Sequence, residues 1–269
     1  MPSFRDKLLS GKPRLGLNVM YPSPGIIERI GAEWDWIWVD AQHGQLGYQD
    51  TINLVRACDL VDRPALVRVP WLEAGHIGLV LDMGPTGVIV PCIDTPEMAK
   101  AAVRAAKFPP LGGRSYGARR AIDRKGRAYS DTANQDTLLI VQIESPEAID
   151  NAEAIAAIEG VDGLFLGPDD ILLRRGVSPT APRDKKMLAG DMGAVANACR
   201  KHGKFSVMVG VSAEMLTASL EFGYNLIVSG GDVLFLANGS TKAASDARAI
   251  IEGRATKSDG KGGASGSPY

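Results

Sequence analysis

An acid and a histidine three residues apart, Asp40 and His43, close an apolar run that begins Trp36-Ile37-Trp38-Val39. A nearby carboxylate can fix a histidine's tautomer and keep one ring nitrogen available as a proton acceptor. Further along, Arg68 lies at the end of a second apolar run, and Gln142 and Glu144 at the end of a third. Asp169 and Asp170 follow Gly167-Pro168 after a fourth. Glu144 and Asp170 make an oxygen pair suited to a hard divalent cation, which takes one or two protein carboxylates and leaves its other positions to water and substrate. Arg68 adds a permanently charged, forked donor for a carboxylate or a developing enolate oxygen. The amides after Gly167-Pro168 open a helix, where free N–H groups bind anions. Together these groups describe a site for a 2-oxo acid. A cation there would grip the keto oxygen and one carboxylate oxygen and stabilise an enolate, while the base moves a proton.

Taken singly, each residue has a plainer reading. Glu144, Asp169 and Asp170 also suit the first turn of a helix, where acids are favoured. Arg68 also suits the end of a strand, paired with a nearby acid. Asp40 and His43 also suit an ordinary polar turn. Their joint occurrence at successive strand ends is what favours a site.

The elements that must position these residues are legible as a repeat. Candidate strands run Leu15 to Met20, Trp36 to Val39, Ala65 to Val69, Gly87 to Val90, Leu138 to Ile143, Gly163 to Leu166, Phe205 to Val209 and Leu226 to Val228. They are rich in Val, Ile, Leu and Trp without strict alternation, as parallel strands covered on both faces require. Amphipathic segments lie between them, among them Pro96 to Lys107, Pro146 to Ile158, Asp191 to His202 and Ala213 to Phe222. Eight strands alternating with helices predict a single (β/α)8 TIM barrel over residues 1–256, with active groups on the loops after the strands. A doubly wound open sheet is disfavoured because no Gly-x-Gly-x-x-Gly follows the first strand. Residues 109–117, with a basic stretch after them, form a long insertion of the kind that covers a catalytic mouth. The Gly/Ser-rich tail from Lys257 to Tyr269 reads as disordered.

Composition narrows the class. A net charge of -1 over 269 residues gives no field that would steer a nucleic acid. Three cysteines without a CxxC pair read as reduced thiols of a cytoplasmic protein. The charged start is no secretory signal, and the apolar runs are strand-sized, too short to span a membrane. His76 and His202 have no carboxylate at useful spacing and read as surface or helix-end residues. Cys92 reads as a small buried hydrophobe.

At this point the sequence resembles the HpcH/HpaI aldolase/citrate lyase family, and within it the metal-dependent (class II) pyruvate aldolases of the 4-hydroxy-2-oxoheptanedioate aldolase type. The segments that carry the resemblance are 36–44 (WIWVDAQHG), 81–91 (LDMGPTGVIVP), 108–114 (FPPLGGR), 142–145 (QIES) and 167–170 (GPDD), within a likeness running from about residue 13 to 252. It implies Glu144 and Asp170 as ligands of a divalent cation (Mg2+, Mn2+ or Co2+), His43 with Asp40 as an acid/base dyad, and Arg68 as carbonyl and enolate stabiliser. Gln142 and the amides of Asp169 and Asp170 are implied to hold the pyruvoyl carboxylate, with Val209 a further substrate contact. The implied reaction is reversible cleavage of a 4-hydroxy-2-oxo acid to pyruvate (or hydroxypyruvate) and an aldehyde. The implied assembly is a homohexamer in which the last helix, Thr241 to Gly253, reaches onto a neighbour.

One position departs from the pattern. The family usually reads Asp-x-Glu-His-Gly, and this chain has Gln42 in place of the Glu. The rival readings are a lyase acting on a coenzyme A thioester and a non-catalytic binder of oxo acids. The Asp40–His43 pair speaks against the first, and the intact set of acids and arginine against the second. No lysine occupies a strand end, so a Schiff-base route is not expected.

Overall fold

The computed structural model describes residues 3–178, 180–181 and 183–253, so the tail from Lys257 to Tyr269 lies outside the described residues. Eight parallel strands close into a barrel in sequence order. They are β1 (Arg14–Val19), β2 (Trp36–Asp40), β3 (Ala65–Arg68), β4 (Gly87–Val90), β5 (Leu138–Ile143), β6 (Gly163–Leu166), β7 (Phe205–Val209) and β8 (Leu226–Gly231). β8 pairs back onto β1, with a register shift between Gly16 and Leu17. Each predicted strand is present, with ends displaced by three residues at most. Among the described residues no helix is long and apolar enough to cross a membrane.

Strand side chains alternate in direction, and this alternation sorts the core into two layers. Ile37, Val39, Val67, Val88, Leu139, Val141, Leu164 and Met208 pack outward against the helices. Trp36, Trp38, Leu66, Ile89, Leu138, Ile140, Phe165, Phe205 and Val207 fill the barrel interior. Phe4 and Leu8 of the helix Phe4–Leu9 belong to that interior layer, and Ser3 and Asp6 cap the helix reciprocally. The large Trp36 indole is admitted because position 16 is glycine: a Cβ there would lie 2.4 Å from the ring. Continuing the inward phase in steps of two residues reaches Asp40, Arg68, Gln142 and then Glu144, Gly167 and Val209. The pleat that builds the core therefore delivers the polar residues to the C-terminal mouth.

Three expectations about the surroundings need correction. The insertion after the helix Pro96–Ala106 does not cover the mouth. It carries short helices, Arg119–Lys125 and Ser130–Asp136, and Arg114 pairs with Asp82 at 2.8 Å while Arg120 Nη1 donates to the Met83 carbonyl at 2.7 Å. Asp82 and Met83 end the helix that feeds β4, so the insertion sits at the N-terminal face. A segment between a helix and the next strand returns to that strand's beginning, and only strand-to-helix loops reach the catalytic rim. His76 does have an acid: Glu73 caps the helix Ala74–Asp82, and its carboxylate lies 2.9 Å from His76 Nδ1. Cys92 is exposed rather than buried, because a left-handed backbone at φ 55° turns it out of the barrel wall.

Helix ends differ in smaller ways. The segment from Pro146 breaks into Pro146–Asp150 and Ala152–Ala156 around Asn151, whose side chain donates to the Asp94 carbonyl. The helix expected from Asp191 begins at Lys185, capped by Asp184. The barrel unit extends to Asp232, and among the described residues those from Val233 to Gly253 form a second compact unit. The helix Asp232–Ile251 starts nine residues before the expected Thr241 and carries exposed Leu234, Phe235 and Leu236 on its first turns.

Candidate active site

Asp40 and Arg68 are register partners at the ends of neighbouring strands β2 and β3. Both are nearly fully buried, at 1% and 5% exposure. The guanidinium grips the carboxylate with both prongs, Nε to Oδ1 at 2.9 Å and Nη2 to Oδ2 at 2.6 Å. Such forked pairing is what allows two charges to remain buried. Arg68 also lies over the Trp38 ring, 4.6 Å from its centroid.

A chain of hydrogen bonds continues across the floor of the mouth. Arg68 Nη1 donates to Gln142 Oε1 at 3.2 Å, and Gln142 Nε2 donates to Glu144 Oε2 at 2.6 Å. The other oxygen of Glu144 accepts the backbone N–H of Cys92 at 2.6 Å. The positive neighbour on one side and the carboxylate on the other fix which end of the Gln142 amide points where. Gly167, which follows β6 and caps the helix Pro168–Arg174, leaves the room this pairing needs. A Cβ there would sit 2.8 Å from Gln142 Nε2 and 2.9 Å from Glu144 Oε2.

Glu144 is 2% exposed. Burial pushes its carboxyl above the ordinary carboxylate range. Asp170 adds to the rise, while the contacts with Cys92 and the charge of Arg68 oppose it. Asp170 stands in the first turn of the helix Pro168–Arg174 and has no hydrogen-bond or ion-pair partner among the described residues. Burial also raises Asp169, against the pull of Arg183, whose Nε lies 2.8 Å from Asp169 Oδ1. Partial withdrawal of its thiol from water, and then the neighbouring Glu144 and Asp170, push the exposed Cys92 up to about 12.

Among the described residues no three His, Cys, Asp or Glu side chains gather into one metal-binding group. The candidate donor set is the carboxylate pair. Glu144 and Asp170 repel one another, and neither has a cationic side chain on its oxygens. That donor set fits a hard divalent cation, which neutralises the repulsion and completes its shell with water and substrate oxygens.

His43, Arg68, Gln142, Asp169, Asp170 and Val209 all line one cleft of about 610 Å³ at the C-terminal mouth. Asp40 and His43 meet differently from the expected side-chain dyad. The Asp40 carboxylate is committed to Arg68, and its Oδ1 also accepts the backbone N–H groups of Gln42 and His43 at 3.1 and 3.3 Å. The imidazole itself makes no hydrogen bond among the described residues, and the Gln42 side-chain oxygen is buried without a partner. The acid thus shapes the turn that carries His43 instead of holding the ring. The sequence reading missed Gly167 as a spacing residue, the Cys92 amide, and the outer wall of the cleft with Leu173, Arg183, Val211 and Met215. Strand alternation could have singled out Gly167. The wall stands on loops and helix starts with no periodic signal.

Comparison with known proteins gives a consistent picture. The family model described as HpcH/HpaI aldolase/citrate lyase matches residues 14–238. A 4-hydroxy-2-oxovalerate aldolase of Novosphingobium aromaticivorans is 39% identical over 178 residues, 65% of this chain and 68% of that protein. A 2-dehydro-3,6-dideoxy-6-sulfogluconate aldolase of Pseudomonas putida is 33% identical over 226 residues, 82% of this chain and 88% of its own. Among solved structures, an HpcH/HpaI aldolase/citrate lyase family protein of Burkholderia cenocepacia superposes with a TM-score of 0.81 at 30% identity, covering 91% of this chain and 98% of that one.

Proposed function

Because this chain belongs to the HpcH/HpaI aldolase/citrate lyase family, a carbon–carbon lyase family, we propose that it is a divalent-metal-dependent aldolase. In this reading it reversibly cleaves a 4-hydroxy-2-oxo acid to pyruvate (or hydroxypyruvate) and an aldehyde. The observation that carries the reading is the chain Asp40–Arg68–Gln142–Glu144, with Asp170 beside it and His43 on the same cleft. Glu144 and Asp170 would hold the cation. When bound, it supplies charge that favours an enolate over the neutral keto form.

The protein's own groups account for the remaining work. Arg68 spends Nε and one N–H each of Nη1 and Nη2 on Asp40 and Gln142. The remaining N–H groups face the 2-oxo end of the substrate, held in a fixed plane by the carboxylate behind them. Gln142 and the amides of Asp169 and Asp170 hold the substrate carboxylate, and Val209 packs against its carbon skeleton. The His43 imidazole takes the proton of the C4 hydroxyl. The C3–C4 bond breaks, the aldehyde leaves, and the bonding pair passes to C3 and the C2 oxygen. The same imidazole returns its proton to C3, giving the methyl group of pyruvate. Asp40 serves the dyad by fixing both Arg68 and the His43 turn. The assembly in this reading is a homohexamer, with the last helix packing on a neighbour, which light scattering would test.

Cleavage is tested by incubating the purified protein with 4-hydroxy-2-oxo acids and following pyruvate through a coupled dehydrogenase. Activity should vanish in EDTA and return with Mg2+, Mn2+ or Co2+. Full turnover in excess EDTA after dialysis, or borohydride trapping of a lysine imine, would overturn the reading.

A further inference from the structure

The cleft that holds His43, Arg68 and Gln142 on its floor continues outward along a wall of Leu173, Ala181, Leu188, Val211 and Met215. Beyond the floor its charged lining residues are Asp169, Asp170 and Arg183, and Arg183 is paired with Asp169 at 2.8 Å. At about 610 Å³, the cleft falls among those that enclose ligands much larger than a pyruvate and a two-carbon aldehyde, roughly 300–1,000 Å³. Leu173 and Val211 are about half exposed, at 49% and 54%, so a chain laid on them removes water from apolar surface on both sides.

Resting on the aldolase reading above, we infer that the aldehyde partner is uncharged and apolar, an alkyl or aryl aldehyde of several carbons, and that Leu173 and Val211 select it. The polar floor is already occupied by groups suited to the 2-oxo acid half, so the aldehyde's substituent must leave along the wall. A substituent ending in a carboxylate would have to compete with Asp169 for Arg183 and give up water against leucine and valine. An alkyl substituent loses nothing there, and each added methylene contributes about a fourfold gain while it stays in contact.

The test is forward addition of pyruvate to acetaldehyde, propanal, butanal, pentanal and hexanal, with benzaldehyde and succinic semialdehyde alongside, measured as kcat/KM for the acceptor. It should rise about fourfold per methylene until the wall is covered, and succinic semialdehyde should fall at least about tenfold below pentanal. A flat or falling series, or a semialdehyde equal to pentanal, would overturn the inference. Leu173→Ser combined with Val211→Ser should reduce the rise to about twofold per methylene or less. Both side chains are half exposed, and circular dichroism checks that the variant folds. An unchanged slope in the folded variant would also overturn the assignment, and if the variant does not fold the wild-type series decides. Absence of product with every acceptor would instead count against the aldolase reading itself.

Discussion

Replacing Arg68 with lysine keeps the charge and removes the fork. The guanidinium makes two bonds to Asp40, one to Gln142 and a stack on Trp38. An ammonium is a compact point donor on a shorter reach and retains one contact to Asp40. The losses are one charge-assisted bond, worth about 1.5–3 kcal/mol, and the arginine's bond to the Gln142 amide oxygen, of similar size. The stack adds about 0.5–2 kcal/mol. Retained charge avoids the further ~3–5 kcal/mol that an unpaired buried carboxylate would cost. Even the low ends of these losses sum to about 3.5 kcal/mol, which at roughly 2–4 °C per kcal/mol for a chain of this size lowers Tm by at least about 7–14 °C. Retro-aldol kcat should fall on the order of a hundredfold or more, as when a preorganised donor to a developing oxyanion is removed. Arg68→Met separates fold from chemistry. Adding Asp40→Asn to it should recover part of the lost stability, because the unpaired charge is gone, and none of the activity. An Arg68→Lys enzyme within a few-fold of wild-type kcat and a degree or two of its Tm would refute the reasoning.

Gly167→Ala is conformationally tolerable at φ -98° yet places a methyl against Gln142 and Glu144. It should cost about 1–3 kcal/mol by overpacking, read as a lower denaturation midpoint, and weaken divalent-ion affinity measured by calorimetry. His43→Ala should nearly abolish cleavage while leaving metal and pyruvate affinity close to wild type, since neither depends on the imidazole. Burial raises the Glu144 carboxyl, so it gains a proton at higher pH than an exposed glutamate as the solution is acidified. Divalent affinity should therefore already fall above the usual carboxylate range. The sign for stability is the reverse of an ion-paired acid: without metal, ionised Glu144 lowers stability as pH rises through its folded pKa, and the metal restores it. A metal affinity independent of pH down to about 4, near an ordinary glutamate, would contradict this.

The barrel was legible because eight apolar runs recur with helices between them, and because β2, β3 and β5 place their polar residues in phase with buried neighbours. Asp40 follows Trp36 and Trp38 in that phase, and Gln142 and Glu144 follow Leu138 and Ile140. What the sequence could not supply was lateral information. Asp40 faces Arg68 only through the β2–β3 register, so its carboxylate was assigned to the sequence neighbour His43 when the strand neighbour takes it. The insertion was placed on the wrong face for a different reason: its composition suits a mouth loop, and that outweighed its legible position between a helix and the following strand, which sends it to the N-terminal face. Cys92 was read as a small buried hydrophobe and is exposed, because a left-handed residue that is not glycine has no signature in composition.

The floor of the cleft is lopsided, and Gln142 is what keeps it so. Its amide is a directional spacer, with the oxygen accepting from Arg68 of β3 and the NH2 group donating to Glu144 at the end of β5. The site therefore has a built-in polarity running across the barrel mouth, from β3 to β5. In the proposed reaction a 2-oxo acid can satisfy that polarity in only one direction, so the same face of C3 is always turned to the incoming carbonyl. The apolar wall offers no comparable handle on the aldehyde. With hydroxypyruvate, whose C3 becomes a stereocentre, handedness at the nucleophilic carbon would thus be prescribed by hydrogen bonds, whereas handedness at the new alcohol carbon would rest on the fit of hydrocarbon alone. Reshaping Leu173 or Val211 should alter the second without disturbing the first.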